Sequence, residues 1–342
     1  MHGTLVLTDN QHIYKTFSET VLKGRLTPSI YDLDNFPKRA IPAENPKPWE
    51  EHTEYNRRQL PKEAIDYLKK MQTVAFLIIK DGKVYYERYS DAHDKNALSN
   101  SFSMAKTIVS LLIGAAIDDG YIQSVNQPVG DFIPEFNKGE KKKITIKHLL
   151  TMTSGIEFGE QYMNPFGYMA KAYYGDDLWN ITVEKPLRHS PGKVWKYQGG
   201  NTLLLSFVLE MATGKKISTY FSEKIWNPIG AEQTAYWSLD KEDGREKSFC
   251  CFYATARDFA RLGQICLDSG KFQTTQVLNP YYIKTATTPI NFAYDEQNEQ
   301  VNWYGYSFWI LNHKNMQIPY FRGILGQYIF IILEKNAVVV RL

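Results

Sequence analysis

Cysteine is scarce in this chain: three residues among 342, at positions 250, 251 and 266. Three cysteines build no disulfide framework, and Cys250 and Cys251, inside the apolar run from Phe249 to Tyr253, are expected to be buried thiols. No Cys-x-x-Cys or His-x-x-x-His spacing occurs, so neither a metal nor a cofactor is expected. No stretch approaches the roughly 18 apolar residues of a membrane-spanning helix, and the N-terminus lacks the apolar centre of a signal segment. Charge of one sign is missing as well. Forty Lys and Arg against 37 Asp and Glu leave +3, too little to argue for nucleic acid as a partner. The one basic cluster, Lys138 with Lys141, Lys142 and Lys143, reads as a solvated loop. A Gly-x-Ser-x-Gly elbow is also absent, which removes the signature of α/β-hydrolase chemistry.

What is present is an ordinary globular composition, 43% hydrophobic and 23% charged, in a chain long enough to bury a substantial core. Residues 1–60 carry five prolines and little periodicity. They read as an extended arm wrapping the remainder, with a short helix near Tyr14 to Leu22. A helix follows from about Leu60 to Met71. Thr73 to Lys80 and Lys83 to Tyr89 flank Asp81-Gly82, a hairpin turn signal. Helical patterns occupy 145–152, 161–174, 201–213, 217–226 and 255–268. Thr255 with Asp258 resembles a capping box for the last, with Arg257 and Arg261 on its exposed face. Strand signals return at 304–311, 327–333 and 337–341. The expectation is an α+β fold whose antiparallel sheet joins N- and C-terminal segments (about 61–102 and 300–342) and is flanked by helices. A mostly helical lobe, about 103–299, is inserted between them, with a cleft between sheet and helices.

Ser103-Met104-Ala105-Lys106 opens a dense apolar pattern that runs to Asp119 and stops at Gly120, a natural helix end. Residues three apart on a helix are neighbours, so Lys106 can reach the Ser103 hydroxyl. Burying an amine disfavours its ammonium form, and a buried lysine can therefore serve as a base. Ser-x-x-Lys occurs three times. Ser190-Pro191-Gly192-Lys193 is a turn, and Ser238-Leu239-Asp240-Lys241 leads into a charged stretch and reads as a surface loop. Only Ser103 and Lys106 fall on a buried helix. An N-cap serine followed by a solvent-seeking lysine would look the same in sequence.

A serine–lysine pair needs a further proton carrier and oxyanion donors. Tyr197 lies in the turn Tyr197-Gln198-Gly199-Gly200-Asn201 before a helix, where a phenol can point into a cleft. Arg322-Gly323-Ile324-Leu325-Gly326-Gln327 precedes an apolar strand, and its glycines allow close approach of another backbone or a ligand. Either stretch could equally be structural.

Together with His148-Leu149-Leu150-Thr151-Met152-Thr153-Ser154-Gly155, Trp226-Asn227-Pro228-Ile229-Gly230-Ala231 and the Ala256 to Arg261 segment, these motifs resemble the serine β-lactamase/penicillin-binding-protein superfamily. The resemblance is to its class C and esterase-like branch, most of all to the 6-aminohexanoate-dimer hydrolase type. It runs from about Thr73 to the end. It implies that Ser103 is acylated, Lys106 is its base, and Tyr197 protonates the leaving group. The N–H groups of Ser103 and Ile324 would then form the oxyanion hole, and Asp258 would cap its helix. Gly199 stands where relatives have Asn, and Phe321-Arg322-Gly323 replaces their Lys/His-Thr-Gly. These departures argue against efficient β-lactamase or D-Ala-D-Ala peptidase activity, which stands as the alternative within the same chemistry, while Arg322 offers a charge for a carboxylate. Gly323, Arg322 and Gln327 are therefore expected at the substrate, with Tyr162 and Tyr168 from the aromatic segment 158–179. The expected partner is a small amide or ester, and the alternative of another class is a binding or sensor module without turnover. Relatives often carry an N-terminal membrane anchor, so the resemblance favours the cell envelope.

Overall fold

The computed structural model describes residue 10 and residues 12–342, apart from 26, 92 and 163. The N-terminal segment forms helix α1 (His12–Glu19) and strand β1 (Lys38–Ile41), followed by helix α2 (Lys62–Lys70). Strands β2 (Ala75–Lys80) and β3 (Lys83–Tyr89) meet at Asp81 and Gly82, whose φ values of 51° and 72° suit a two-residue hairpin turn. After the short strand β4 (Ser99–Asn100) comes helix α3 (Met104–Asp118), in which every residue from Met104 to Ala116 is buried. Gly120, at φ 78°, ends it as the sequence indicates.

The middle of the chain holds α4 (Ile146–Leu150), α5 (Tyr168–Tyr174), α6 (Leu178–Val183), α7 (Gly199–Thr213) and α8 (Ile217–Phe221). The pattern at 161–174 predicted one helix, but the helix begins only at Tyr168. Before it, Pro165 lacks an N–H and Gly167 occupies the N-cap in extended backbone. This region also contains strands β5 (Ala235–Ser238) and β6 (Phe252–Ala254). They build a four-stranded antiparallel sheet in the order β1-β5-β6-β4. Strand β1 brings the N-terminal segment into that sheet, with Lys38 opposite Ser238. Ser238 is therefore buried at a strand end, not on a surface loop.

Helix α9 (Ala256–Leu267) precedes the small hairpin β7 (Lys271–Phe272) and β8 (Thr275–Gln276), helix α10 (Pro280–Ala286), and strands β9 (Trp309–His313), β10 (Met316–Gly323), β11 (Gln327–Ile332) and β12 (Ala337–Arg341). The six-stranded antiparallel sheet runs β3-β2-β12-β11-β10-β9, so the C-terminal strand lies between two N-terminal and three late strands. The strand pattern at 304–311 overran its element, which starts at Trp309. Strand β10, interrupted by Pro319, lies outside the strand signals read from the sequence. That proline sits where β10 pairs with β9 alone, before the pairing with β11 begins at Tyr320, so its absent N–H costs the sheet little.

Helix α9 lies on one face of this sheet, above Ile329 and Val338. A Cβ on Gly263 would fall 2.5 Å from Val338 Cγ1, so only glycine lets helix and sheet approach so closely. Thr255 caps α9 by accepting the Asp258 N–H. The carboxylate of Asp258 itself reaches back to accept the N–H groups of Glu232 and Gln233. Arg261 is not on an exposed face. It is fully buried, donating to the Ile229 carbonyl at 2.8 Å and to Glu232 at 3.0 Å. Arg257 is partly buried on Glu87. Periodicity marked these positions as polar, but the partners that make burial of a guanidinium affordable come from distant segments.

Candidate active site

Ser103 stands at the start of α3, directly after Phe102 at φ 43°. A positive φ on a phenylalanine has to be imposed by its surroundings. Asn100 imposes it: its Oδ1 accepts the N–H groups of Phe102 at 2.9 Å and Cys251 at 3.2 Å, while its Nδ2 donates to the Tyr253 hydroxyl at 3.0 Å. The Ser101 N–H donates to the Phe252 carbonyl at 2.7 Å. The turn carrying the serine is thereby tied to β6 and the segment before it.

Lys106, one helical turn on, is 2% exposed. Its Nζ donates to Ser103 Oγ at 2.9 Å and to the Phe249 carbonyl at 2.8 Å. The rings of Tyr197 and Phe249 cover it, with centroids 5.1 and 5.8 Å from Nζ. The pair read from the sequence is thus in contact and shielded from water. Of the other two Ser-x-x-Lys copies, one lies at the turn 191–193 and the other at the end of β5.

Tyr197 precedes α7 and leans on Tyr304 and Trp309, at centroid distances of 6.1 and 5.1 Å. Trp195 packs edge-on against Trp303, Tyr304 and Trp309. Nothing in the sequence distinguished these aromatics from core residues. Arg322 is exposed and spreads over the Trp309 ring, 4.7 Å from its centre. Gly323 abuts the serine turn: a Cβ there would lie 2.4 Å from the Ser101 carbonyl oxygen. Ile324 opens the next turn, in which Leu325 has φ 59°, and shares a cavity wall with Ser103. Arg341 of β12 braces that turn, donating to the carbonyls of Gly326 at 2.7 Å and Met71 at 2.6 Å.

Two expected substrate contacts lie elsewhere. Gln327 is 1% exposed, accepting the Ser99 hydroxyl and donating to the Leu325 carbonyl inside the sheet. Tyr168 is buried, with its hydroxyl 2.9 Å from that of Thr182 and its ring against Phe158. Tyr162 does line the cavity beside Ser103. On α5 it is Met169, Ala170, Tyr173 and Tyr174 that share the cavity-facing side, as their spacing on a helix requires.

Glu160 went unnoticed in the sequence. Its carboxylate accepts the Gly200 N–H at 2.9 Å, at the positive end of α7. Burial pushes its pKa up, against the pull of the Gly199 and Gly200 amides and of Lys106. A lone Glu in a loop carries no motif, so sequence offered no signal for it.

The expectation of buried thiols fails at Cys250 and Cys251, which are joined in a disulfide, leaving Cys266 free. Adjacent cysteines bond only when the intervening backbone is unusual, and Cys251 has φ 66°; that conformation is set by the fold. Among the described residues, no group of His, Cys, Asp or Glu could hold a metal, and no helix is long and apolar enough to cross a membrane.

A serine at a helix start, a buried lysine in contact with it one turn on, and a glycine at the end of β10 pressed against the serine turn together form the candidate site. The Beta-lactamase family model matches residues 62–342, and the chain belongs to that family. Among curated proteins it is similar to a 6-aminohexanoate-dimer hydrolase of Paenarthrobacter ureafaciens, 25% identical over 64% of this chain and 58% of that protein. It is also similar to esterase EstB of Burkholderia gladioli, 25% identical over 48% and 47%. The chain thus matches only about half the length of these relatives. Among solved structures, a candidate 6-aminohexanoate-dimer hydrolase from Bacillus anthracis superposes with TM-score 0.79 at 21% identity, covering 91% of this chain and 86% of that one. A family VIII carboxylesterase gives TM-score 0.66 at 18% identity, covering 82% and 89%. These likenesses establish the fold.

Proposed function

We propose that the protein hydrolyses a small amide or ester through an acyl-enzyme on Ser103. The observation that carries this reading is the 2.9 Å contact between Lys106 Nζ and Ser103 Oγ on a lysine closed off from water. With Lys106 as the neutral amine, the same contact runs the other way: the Ser103 hydroxyl donates to Nζ and loses its proton as Oγ attacks the carbonyl. The Phe249 carbonyl keeps one amine N–H engaged and so fixes the lone pair toward Ser103. The N–H groups of Ser103 and Ile324 would receive the oxyanion. Tyr197 would pass a proton to the leaving group, and water would then release the acyl chain by the reverse steps.

Arg322, over Trp309 on the Tyr197 side, would meet a carboxylate on the leaving group. Gly199 and Phe321-Arg322-Gly323 remove the side chains that relatives use to hold β-lactams, so slow turnover of nitrocefin is expected. Mass spectrometry after exposure to a fluorophosphonate tests the mechanism. An adduct on Ser103 that is lost in Lys106→Ala supports it, whereas folded protein that takes up no label overturns it.

A further inference from the structure

A cavity of ≈ 270 Å³ opens beside Ser103. Its walls include Ser103 and Ile324 but neither Lys106, Tyr197, Trp309 nor Arg322. Since Tyr197 would serve the leaving group, what enters this cavity from a carbonyl held at Ser103 is the acyl side. Among the described residues, no Asp, Glu, Lys, Arg or His lines it. The Thr16 hydroxyl donates to the His12 carbonyl at 3.0 Å and the Thr20 hydroxyl to the Thr16 carbonyl at 2.6 Å, so both are engaged with their own backbone. The Tyr173 and Tyr174 hydroxyls find no hydrogen-bond partner among the described residues. They can meet an uncharged polar atom of a guest but balance no charge.

The roof is the N-terminal segment, through Thr16, Thr20, Val21 and Pro28. It is held in place at several points. The His12 ring lies 2.9 Å from the Pro165 carbonyl, Lys15 sits 4.2 Å from the Phe36 ring centre, and Arg25 pairs with the buried Asp32 at 2.9 Å. The matched family region begins only at residue 62, so this roof lies outside it.

We propose that this cavity is the acyl subsite, that it takes an uncharged apolar acyl chain, and that the roof formed by Thr16, Thr20, Val21 and Pro28 limits the length of that chain. The proposal rests on Ser103 being the acylated residue. The volume lies just below the usual range of ligand pockets, roughly 300–1,000 Å³, so a short to medium acyl chain of about four to eight carbons is the expected guest. A 6-aminohexanoyl group would place its ammonium against walls with no counter-charge, which is costly.

The test compares p-nitrophenyl acetate, hexanoate, dodecanoate and 6-aminohexanoate on the full chain, with Ser103→Ala as the blank. Hexanoate is expected to exceed both acetate and dodecanoate in kcat/KM, and to exceed 6-aminohexanoate by about a hundredfold. Ala170→Phe from the α5 wall and Val21→Trp from the roof should each lower the hexanoate-to-acetate ratio about tenfold, a ratio insensitive to the fraction folded. Ser103-dependent hydrolysis with no chain-length preference, or 6-aminohexanoate equal to hexanoate, overturns the subsite and leaves the serine mechanism standing. A ratio that moves in Ala170→Phe but not in Val21→Trp overturns the role of the roof. Hydrolysis that persists in Ser103→Ala defeats the mechanism itself.

Discussion

The serine corner and the cavity roof are built in opposite ways. At the corner, Asn100, Ser101, Lys106 and Thr107 are all buried, and each has a hydrogen-bonded partner fixed by geometry. At the roof and the wall beside it, Val21 and Tyr162 are half exposed, and the hydroxyls of Tyr173 and Tyr174 have no partner among the described residues. A buried polar network has few alternative arrangements, because every unmade bond costs free energy. A roof of apolar contacts tolerates many. Chemistry is therefore expected to be constrained at the corner, and specificity to be adjustable at the roof.

The sharpest way to break this contrast is at the corner. Ser103→Ala and Lys106→Ala should each lower kcat/KM on an ester about 10³-fold or more, with thermal unfolding close to that of the parent; retention of more than a tenth of the activity would contradict the assignment. Asn100→Ala comes next. It leaves the Phe102 and Cys251 N–H groups without their acceptor, at about 1–3 kcal/mol, and should lower kcat with little change in KM. Urea unfolding and steady-state kinetics would read the two effects together.

Lys247 separates the regions by pH. It is wholly buried, with Nζ 3.3, 2.7 and 3.2 Å from the carbonyls of Ala172, Tyr173 and Gly175, two of which a neutral amine can serve at once, and it closes the C-terminal end of the cavity wall α5. Burial lowers its pKa from 10.5 to about 7. Between those values the unfolded chain binds the proton and the folded chain does not, so stability rises with pH across the window and is lost as pH falls toward 7. Lys247→Met should flatten that slope, as measured by urea midpoints at pH 7 and 9.5. An unchanged slope would mean that the amine stays charged in the fold.

The smallest effect on turnover is expected from Arg25→Ala at the roof. Its guanidinium is partly exposed but Asp32 is buried, so the carboxylate keeps only the Ser29 N–H and Asn35 as partners among the described residues and the loss should cost about 1–3 kcal/mol of stability. KM for hexanoate should nevertheless rise a few-fold, with acetate kinetics less affected. A fall in kcat for both esters would place the roof within the catalytic machinery.

Much of the corner was legible in the sequence. Ser103 and Lys106 are three residues apart on one apolar helix, and helix geometry alone brings such residues together. The β2–β3 hairpin was equally plain, because Asp81-Gly82 is a local signal. The errors fell where the deciding partner is remote. Arg261 has a polar residue's pattern but is buried on Glu232, and Tyr168 sits among pocket-bound neighbours but points to Thr182.

By itself, then, the sequence determined the serine–lysine pair, the hairpin and the order of motifs that marks the family, since each depends on short-range spacing. Tertiary structure alone decided that Glu160 reaches the amides of α7, that Cys250 and Cys251 bond, that Gln327 turns inward, and that Thr16, Thr20, Val21 and Pro28 roof the cavity. Those outcomes depend on which distant segments become neighbours, and the free energy of a buried polar or apolar group is set by those neighbours rather than by its position in the chain.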